Sequence, residues 1–207
     1  SVQELIWKMD QHGDRERPQG YEEALISLAV SVRELAADTL EIANLAVDEI
    51  ERLTQIPEEQ RSQEEQSQWV SLQMFVPYLD LALEEITSSR RQLRRLQPAL
   101  GLDELDASVQ QLLRAQDQLL SPPDRLQALV NAQQQMLQQQ GALKASSQGQ
   151  LLIQGRAIPL PSWLTSDWLT TQQDGIQIRT QELGQFFAMV LNSIAASDSV
   201  ETSQKEI

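Results

Sequence analysis

Residues 21–55 read YEEALISLAVSVRELAADTLEIANLAVDEIERLTQ, and this stretch decides the fold. Apolar or small side chains recur in it at spacings of three or four, with acids between them. This pattern predicts an α-helix of about nine turns with one inward stripe. The stripe consists of Leu25, Leu28, Val32, Leu35, Thr39, Ile42, Ala46, Ile50 and Leu53. A helix cannot bury so long a stripe alone, so it needs a partner helix.

The partner helix is predicted to follow directly in the sequence. The pair Ile56-Pro57 ends the first helix, because proline pushes the preceding residue out of the α region. Pro57-Glu58-Glu59 predicts the start of a second helix over 58–96, with Leu96 as its last inward residue. The two form a long hairpin, and we expect the largest contact of the molecule between them.

Shorter helices are predicted downstream. One covers 104–120, capped by Asp103, with Val109 and Leu119 among its inward residues. Another covers 122–141, capped by Ser121 and ended by Gly141. Residues 142–149 have linker composition, and 150–160 form either a small hairpin or an apolar strap. A short helix opening at 161–162 and a last helix over 173–196 complete the pattern.

The predicted fold is all-α. It is an antiparallel bundle of five to six helices built on the long hairpin, with a small extended or hairpin insert near 150–160. The predicted domains are a short N-terminal helix and loop (1–20), the main bundle (21–141), a linker and strap (142–160), C-terminal helices on the bundle (161–197) and a disordered tail (198–207).

Composition argues against several classes of partner and bears on the cellular location. The net charge of −14 repels nucleic-acid phosphates and anionic lipid, so we expect no nucleic-acid partner. No run of about 18 apolar residues occurs, so we expect no membrane insertion within this chain. The chain has no cysteine, which excludes disulfides and thiolate sites. This absence favours a periplasmic or other extracytoplasmic location over the cytoplasm, because a spare thiol is a liability there.

No catalytic or metal-binding motif is found in the sequence. His12 is the single histidine, and no Glu-x-x-His pair, Gly-x-Ser-x-Gly elbow or phosphate-binding glycine loop occurs. Paired carboxylates such as Glu84-Glu85 are read as solvated helix surface. We therefore expect no enzyme activity, no catalytic residue, no metal and no cofactor.

Three groups of residues are candidates for binding. The first is a second apolar row on the first helix, a possible partner surface or, alternatively, ordinary core if this helix is central and contacts several neighbours: Ile26, Val30, Leu40 and Val47. The second is a basic patch for an anion or an acidic partner, alternatively paired with the acidic first helix: Arg90, Arg91, Arg94 and Arg95. The third is a possible ligand pocket, alternatively a plug at the end of the bundle: Arg156, Trp163, Trp168 and Phe187.

These features favour a non-enzymatic protein–protein interaction or scaffolding domain, whose partner is another protein or a second copy. Helical, glutamine-rich segments occur in extramembrane parts of bacterial envelope proteins, so we expect the chain to be part of a larger protein of this kind. The alternative is a ligand-sensing helical domain with a small apolar pocket near Trp163 and Trp168.

Overall fold

Five α-helices and a two-stranded hairpin make up the described part of the chain. The computed structural model describes the backbone of residues 21–146, 150–153, 156–159 and 164–204, and the side chains of 22–146 and 164–192. The elements are α1 (Tyr21–Thr54), a 3-10 helix (Glu58–Gln60), α2 (Gln63–Arg94), α3 (Pro98–Leu119), α4 (Pro122–Ala145), β1 (Gln150–Ile153), β2 (Arg156–Pro159) and α5 (Ser166–Gln204). The prediction of an all-α antiparallel bundle with a small insert is confirmed.

The chain divides into two compact units. One contains α1, α2 and α3, and the other contains α4, the β-hairpin and α5. The boundary lies between Leu120 and Ser121, inside the predicted 21–141 bundle.

The helices α1 and α2 form the predicted antiparallel hairpin. Leu25 and Val32, near the start of α1, are buried together with Ile86 and Leu93, near the end of α2. Farther along, two alanines of α1 pack against larger side chains of α2 and a small residue of α3. This second cluster consists of Ala43, Ala46, Phe75, Leu79 and Ala115.

The most extensive helix pairing is α2 with α3, so the expectation that α1 and α2 share the largest contact is wrong. Small residues of α3 explain the close approach. Gly101 and Ser108 are buried, and Ser89 of α2 donates a hydrogen bond of 2.6 Å to the carbonyl oxygen of Gly101. An added Cβ at Gly101 would lie 2.9 Å from Cγ and Cδ2 of Leu93.

The start of α2 differs from the prediction for a local reason. Glu58–Gln60 form a 3-10 helix, and α2 begins at Gln63. Ser62 and Glu65 form a capping box, in which the Ser62 hydroxyl accepts from the Glu65 amide and the Glu65 carboxylate accepts from the Ser62 amide. A reciprocal cap satisfies two helix-end amides, which Pro57 with two acids cannot do.

Three other helix ends differ. Helix α3 begins at Pro98, not near Asp103, because proline suits the first helical position. Helix α4 has the predicted Ser121 cap but continues through Gly141 to Ala145. The two helices predicted after residue 161 are one helix, α5, which reaches Gln204 and thus extends into the segment for which we predicted a disordered tail.

Some residues predicted to face inward are exposed. Ile42 is 48% exposed, and the smaller Ala43 takes its place because it leaves room for Phe75 and Leu79. Leu96 is 52% exposed and has a φ of 59°, so it lies in the left-handed turn that ends α2. Val109 and Leu119 of α3 are also exposed.

In the second unit, α4 and α5 run antiparallel. Arg125 near the start of α4 lies 3.6 Å from Glu182 of α5, and both side chains are largely buried. Of the two alternatives predicted for 150–160, the described residues form the hairpin: β1 pairs with β2 in antiparallel register, Gln150 opposite Pro159 and Ile153 opposite Arg156.

No helix in the described residues combines the length and apolar character that crossing a bilayer requires.

Candidate functional site

Helix α1 buries one stripe at strict seven-residue intervals. Leu25, Val32, Thr39, Ala46 and Leu53 are each no more than 6% exposed. The Thr39 hydroxyl donates to the carbonyl oxygen of Leu35, so its burial leaves no polar group unsatisfied. Together with Ala43 and the partly buried Leu28, Leu35 and Ala36, this stripe supplies the core contacts of α1.

The second apolar row of α1 lies outside the core. Ile26, Val30, Leu40 and Val47 are 65%, 45%, 51% and 39% exposed. The structure therefore keeps all four predicted partner-surface residues accessible, although α1 already has its core partner. Ile26, Leu40 and Val47 each follow a residue of the buried stripe by one position, so they lie about 100° around the helix from it, and Val30 lies about 160° from it.

These four residues belong to a longer heptad pattern that sequence reasoning missed. With the exposed positions between them they form a continuous set at alternating spacings of four and three, which we name the outer seam: Ile26, Val30, Arg33, Ala37, Leu40, Asn44 and Val47. A 3.5-residue repeat is the pattern by which one helix packs along another in a coiled coil. Because Arg33 and Asn44 are polar, a search for apolar residues alone does not detect this heptad spacing.

The arginine patch lies at the end of α2. Arg90 is half-buried, whereas Arg91, Arg94 and Arg95 are exposed. Among the described residues no ion pair between these four and the acids of α1 is found, so the alternative pairing with the first helix stays a prediction. The pKa of Glu104 on α3 is lowered first by hydrogen bonds with Glu85 and Ser88, and the charge of Arg91 adds to the lowering.

The predicted pocket residues do not form one site. Arg156 and Trp163 lie outside the residues whose side chains are described. Trp168 is half-buried and Phe187 is 42% exposed, and both belong to α5. Nineteen residues of helix separate them by about 28 Å, too far for one small pocket. Phe187 instead contacts Phe186 edge to face, with ring centroids 5.8 Å apart.

A cleft of about 540 Å³ does lie between α4 and α5. Its apolar lining comes from Met136, Leu137, Leu143 and Leu169, and polar side chains, Lys144 among them, complete it. The cleft adjoins Trp168 in sequence, but Trp168 is not part of its lining.

An acid pair joins α2 to α3, contrary to the reading of Glu84-Glu85 as simple solvated surface. Glu85 is half-buried and shares a hydrogen bond with Glu104, which raises the pKa of Glu85 to about 7, with burial and the charge of Glu84 adding to the rise. Glu104 accepts that bond and one of 3.0 Å from the Ser88 hydroxyl, and these lower its pKa. The pair thus holds one proton near neutral pH.

The C-terminus of α1 is capped by the side chain of Arg61, another residue that the sequence analysis did not single out. Its Nε donates to the carbonyl oxygens of Leu53 and Ile56, each at 3.0 Å, and Nη2 donates to that of Thr54 at 3.4 Å. The guanidinium lies 5.0 Å from the ring centroid of Trp69. A cation here satisfies helix-end carbonyls and complements the helix dipole.

Among the described residues, no group of three or more acids or histidines is arranged to hold a metal ion, and His12 lies outside them. In comparisons with known proteins, no family model, no curated protein and no solved structure matches the chain.

Proposed function

We propose that this chain is a non-enzymatic helical domain for protein–protein interaction or scaffolding, with the outer seam of α1 as its partner surface. The observation that carries the proposal is the exposure of Ile26, Val30, Leu40 and Val47 on a helix whose other stripe is already buried. Single exposed aliphatic residues are ordinary, but a row that follows a heptad spacing fits the groove of another helix.

The seam is long enough for a specific contact. From Ile26 to Val47 it extends about 32 Å along α1, which is about six helical turns. Packing of this length resembles a short coiled coil rather than a ligand pocket. Nucleic acid is a poor alternative partner, because the chain carries a net charge of −14. Three acids, Glu34, Asp38 and Glu41, also lie between successive residues of the seam.

The test replaces two seam residues with charge. In a Val30→Glu, Val47→Glu double variant, both side chains remain solvated, so the far-ultraviolet circular dichroism and the melting temperature stay close to those of the wild type. Association with the partner is lost, because a carboxylate in an apolar seam is desolvated without compensation. The readout is the amount of partner recovered with the affinity-purified chain from cells that produce it.

A matched control uses the same helix and the same chemistry outside the seam. Ile42 and Leu45 are 48% and 62% exposed, and both lie away from the seam. An Ile42→Glu, Leu45→Glu double variant should keep the partner. Loss of the partner in the control, or its retention in the seam variant, would contradict the proposal. Unfolding of the seam variant would show that the row is core.

A second candidate function, ligand sensing, is supported by the cleft between α4 and α5. Its apolar residues suit a small amphipathic ligand, and Lys144 suits an anionic group on it. Leu137 is 54% exposed, so Leu137→Glu should leave the fold intact. If the cleft binds such ligands, this variant abolishes the fluorescence gain of an anionic naphthalene dye. An unchanged gain would remove the candidate.

We also propose that the chain belongs to a larger bacterial envelope protein outside the cytoplasm. The absence of cysteine and the glutamine-rich helical composition support this location. Fractionation of cells that express the complete gene product tests it, and recovery with the cytoplasmic fraction would contradict it.

A further inference from the structure

We infer that the occupant of the outer seam is a helix of about six turns with basic residues along one flank, and not a second copy of this chain. This inference rests on the proposed function, and it adds the chemistry of the partner. It is carried by what lies on each side of the seam.

The seam has a register. With Val30, Ala37 and Asn44 at the a positions, Leu40 and Val47 occupy d positions. One asparagine at an a position favours a partner with a polar residue at the same level, because an apolar neighbour would leave its amide unsatisfied. The partner is therefore itself a heptad helix with a polar residue at the level of Asn44.

One flank of the seam is acidic. Glu34, Glu41 and Asp48 occupy the e position of three successive heptads, and all three are exposed. None of them forms an ion pair or hydrogen bond within the described residues. A helix seated in the seam would therefore bring its flanking side chains beside three uncompensated carboxylates, and lysine or arginine suits those positions.

The other flank of the seam borders the core of the α1–α2 hairpin. Ala36 and Ala43 occupy g positions and pack into the core of the hairpin. A partner helix meets small, apolar surface on this side and needs no charge there. The seam thus selects charge on one flank only. The partner helix carries basic residues on the flank that meets the acids, and small or apolar residues on the other.

A second copy does not supply this chemistry. In an antiparallel pairing the e positions face each other, so Glu34, Glu41 and Asp48 would meet the same acids. In a parallel pairing they would face the g positions, which are alanines such as Ala36 within the partner's own core. Each copy also brings a net charge of −14. Charge repulsion therefore opposes self-association through this face.

The ends of the seam fix the length of the partner. Glu23 and Glu51 occupy the next a positions on either side, and both are exposed. An apolar partner helix gains nothing beyond them. Inside the seam Arg33 is the only basic residue, and it favours an acidic or polar residue opposite it.

Two synthetic helices test the inference on the full chain. Both carry leucine or isoleucine at the a and d positions over about 24 residues, to span the seam, except for one asparagine level with Asn44 and one glutamine level with Arg33. The first has lysine on the flank that meets the acids, and the second has glutamate there. We expect the lysine peptide to bind about tenfold more tightly than the glutamate peptide at low salt, and the difference to shrink at about 0.5 M salt.

Chain variants locate the effect. The triple variant Glu34→Gln, Glu41→Gln, Asp48→Asn should remove the difference between the two peptides, whereas Leu40→Glu should remove binding of both. Leu45→Glu, outside the seam, should leave both affinities unchanged, and circular dichroism checks that every variant is folded.

Three outcomes overturn the inference, and they differ in what they say of the proposed function. Equal affinity for both peptides, lost in Leu40→Glu, removes the basic partner but keeps the seam as a binding surface. Binding of neither peptide, with a concentration-dependent dimer in sedimentation that Leu40→Glu abolishes, makes the partner a second copy. Binding of neither peptide by a strictly monomeric chain removes both this inference and a helix as the occupant of the seam.

Discussion

Gly101 is the residue through which α2 and α3 come close. An alanine there would place its Cβ 2.9 Å from the buried Leu93 side chain, so Leu93 would have to move. We expect Gly101→Ala to lower the free energy of unfolding by about 1–3 kcal/mol, as other overpacked core positions do. Denaturant titration measures the change.

Gly141 provides the matched control for this prediction. It lies inside α4, and an added Cβ there meets no atom within 4 Å. Gly141→Ala should therefore raise the free energy of unfolding by about 0.5–1 kcal/mol through its higher helix propensity. Changes of the same sign in the two variants would contradict the packing described for Gly101.

The acid pair of Glu85 and Glu104 predicts an unusual dependence of stability on pH. In the folded chain the pKa of Glu85 is about 7, raised from 4.5 chiefly by its hydrogen bond with Glu104. Between these two pH values the folded state holds a proton that the unfolded state has lost. The free energy of unfolding contributed by Glu85 therefore falls as the pH rises from about 4.5 to about 7. The lowered pKa of Glu104 acts oppositely, and its contribution is lost as the pH falls below 4.5.

Glu85→Gln tests this dependence. Glutamine keeps a hydrogen-bond donor for Glu104 but cannot ionise, so the variant should lose the decline in stability between about pH 5 and 7. Because solvent screens the half-buried pair, we expect the wild-type decline to be about 1–2 kcal/mol rather than the full value of the pKa shift. Parallel curves for the two proteins over this range would contradict a shared proton.

At the scale of elements, the α1–α2 turn depends on Arg61. This side chain donates to three carbonyl oxygens near the end of α1. Lysine has the charge but not the planar fork, so both Arg61→Ala and Arg61→Lys should lower the free energy of unfolding, the alanine by about 1–3 kcal/mol. Thermal and denaturant unfolding measure both.

Arg52 is the contrasting case on the same helix. It pairs with Glu49 at 2.7 Å, but its side chain is 54% exposed. Exposed ion pairs contribute little, so Arg52→Ala should lower the free energy of unfolding much less than Arg61→Ala does. If the two alanine variants cost the same, the carbonyl contacts of Arg61 do not stabilise the turn.

The helices show how far the sequence predicts this fold. The bounds of α1 agree with its stripe because seven-residue spacing continues without interruption from Leu25 to Leu53. The predicted start of α2 is wrong because it depends on Pro57, whereas the helix begins after the capping box of Ser62 and Glu65, a signal that the sequence contains. The exposure of Ile42 could not be predicted, because it depends on which residue of α1 meets Phe75.

At the scale of the whole molecule, the fold class follows from the sequence and the candidate site follows only in part. The four apolar residues of the outer seam stand out in sequence, but their exposure depends on α2 and α3 leaving that face uncovered, which is a property of the packed unit. The acid pair joins residues of two helices that are distant in sequence, and the Arg61 contacts depend on the conformation of a turn. No local pattern reports such contacts.

The central claim is that α1 has one face for its own core and another for a partner. Because the chain has no cysteine, single-cysteine variants report each face by their rate of labelling with a membrane-permeant maleimide. The seam variants are Val30→Cys and Leu40→Cys, the buried control is Val32→Cys, and the outward control is Leu45→Cys. Rates are measured in cells that produce the chain and again after purification.

The account predicts that the Val32→Cys thiol is protected in both settings and that the Leu45→Cys thiol is labelled in both. The two seam thiols should be labelled rapidly in the purified chain and about tenfold more slowly, relative to Leu45→Cys, in cells, where the partner covers them. Seam thiols that react as fast in cells as in the purified chain would contradict the claim that this face of α1 binds a partner.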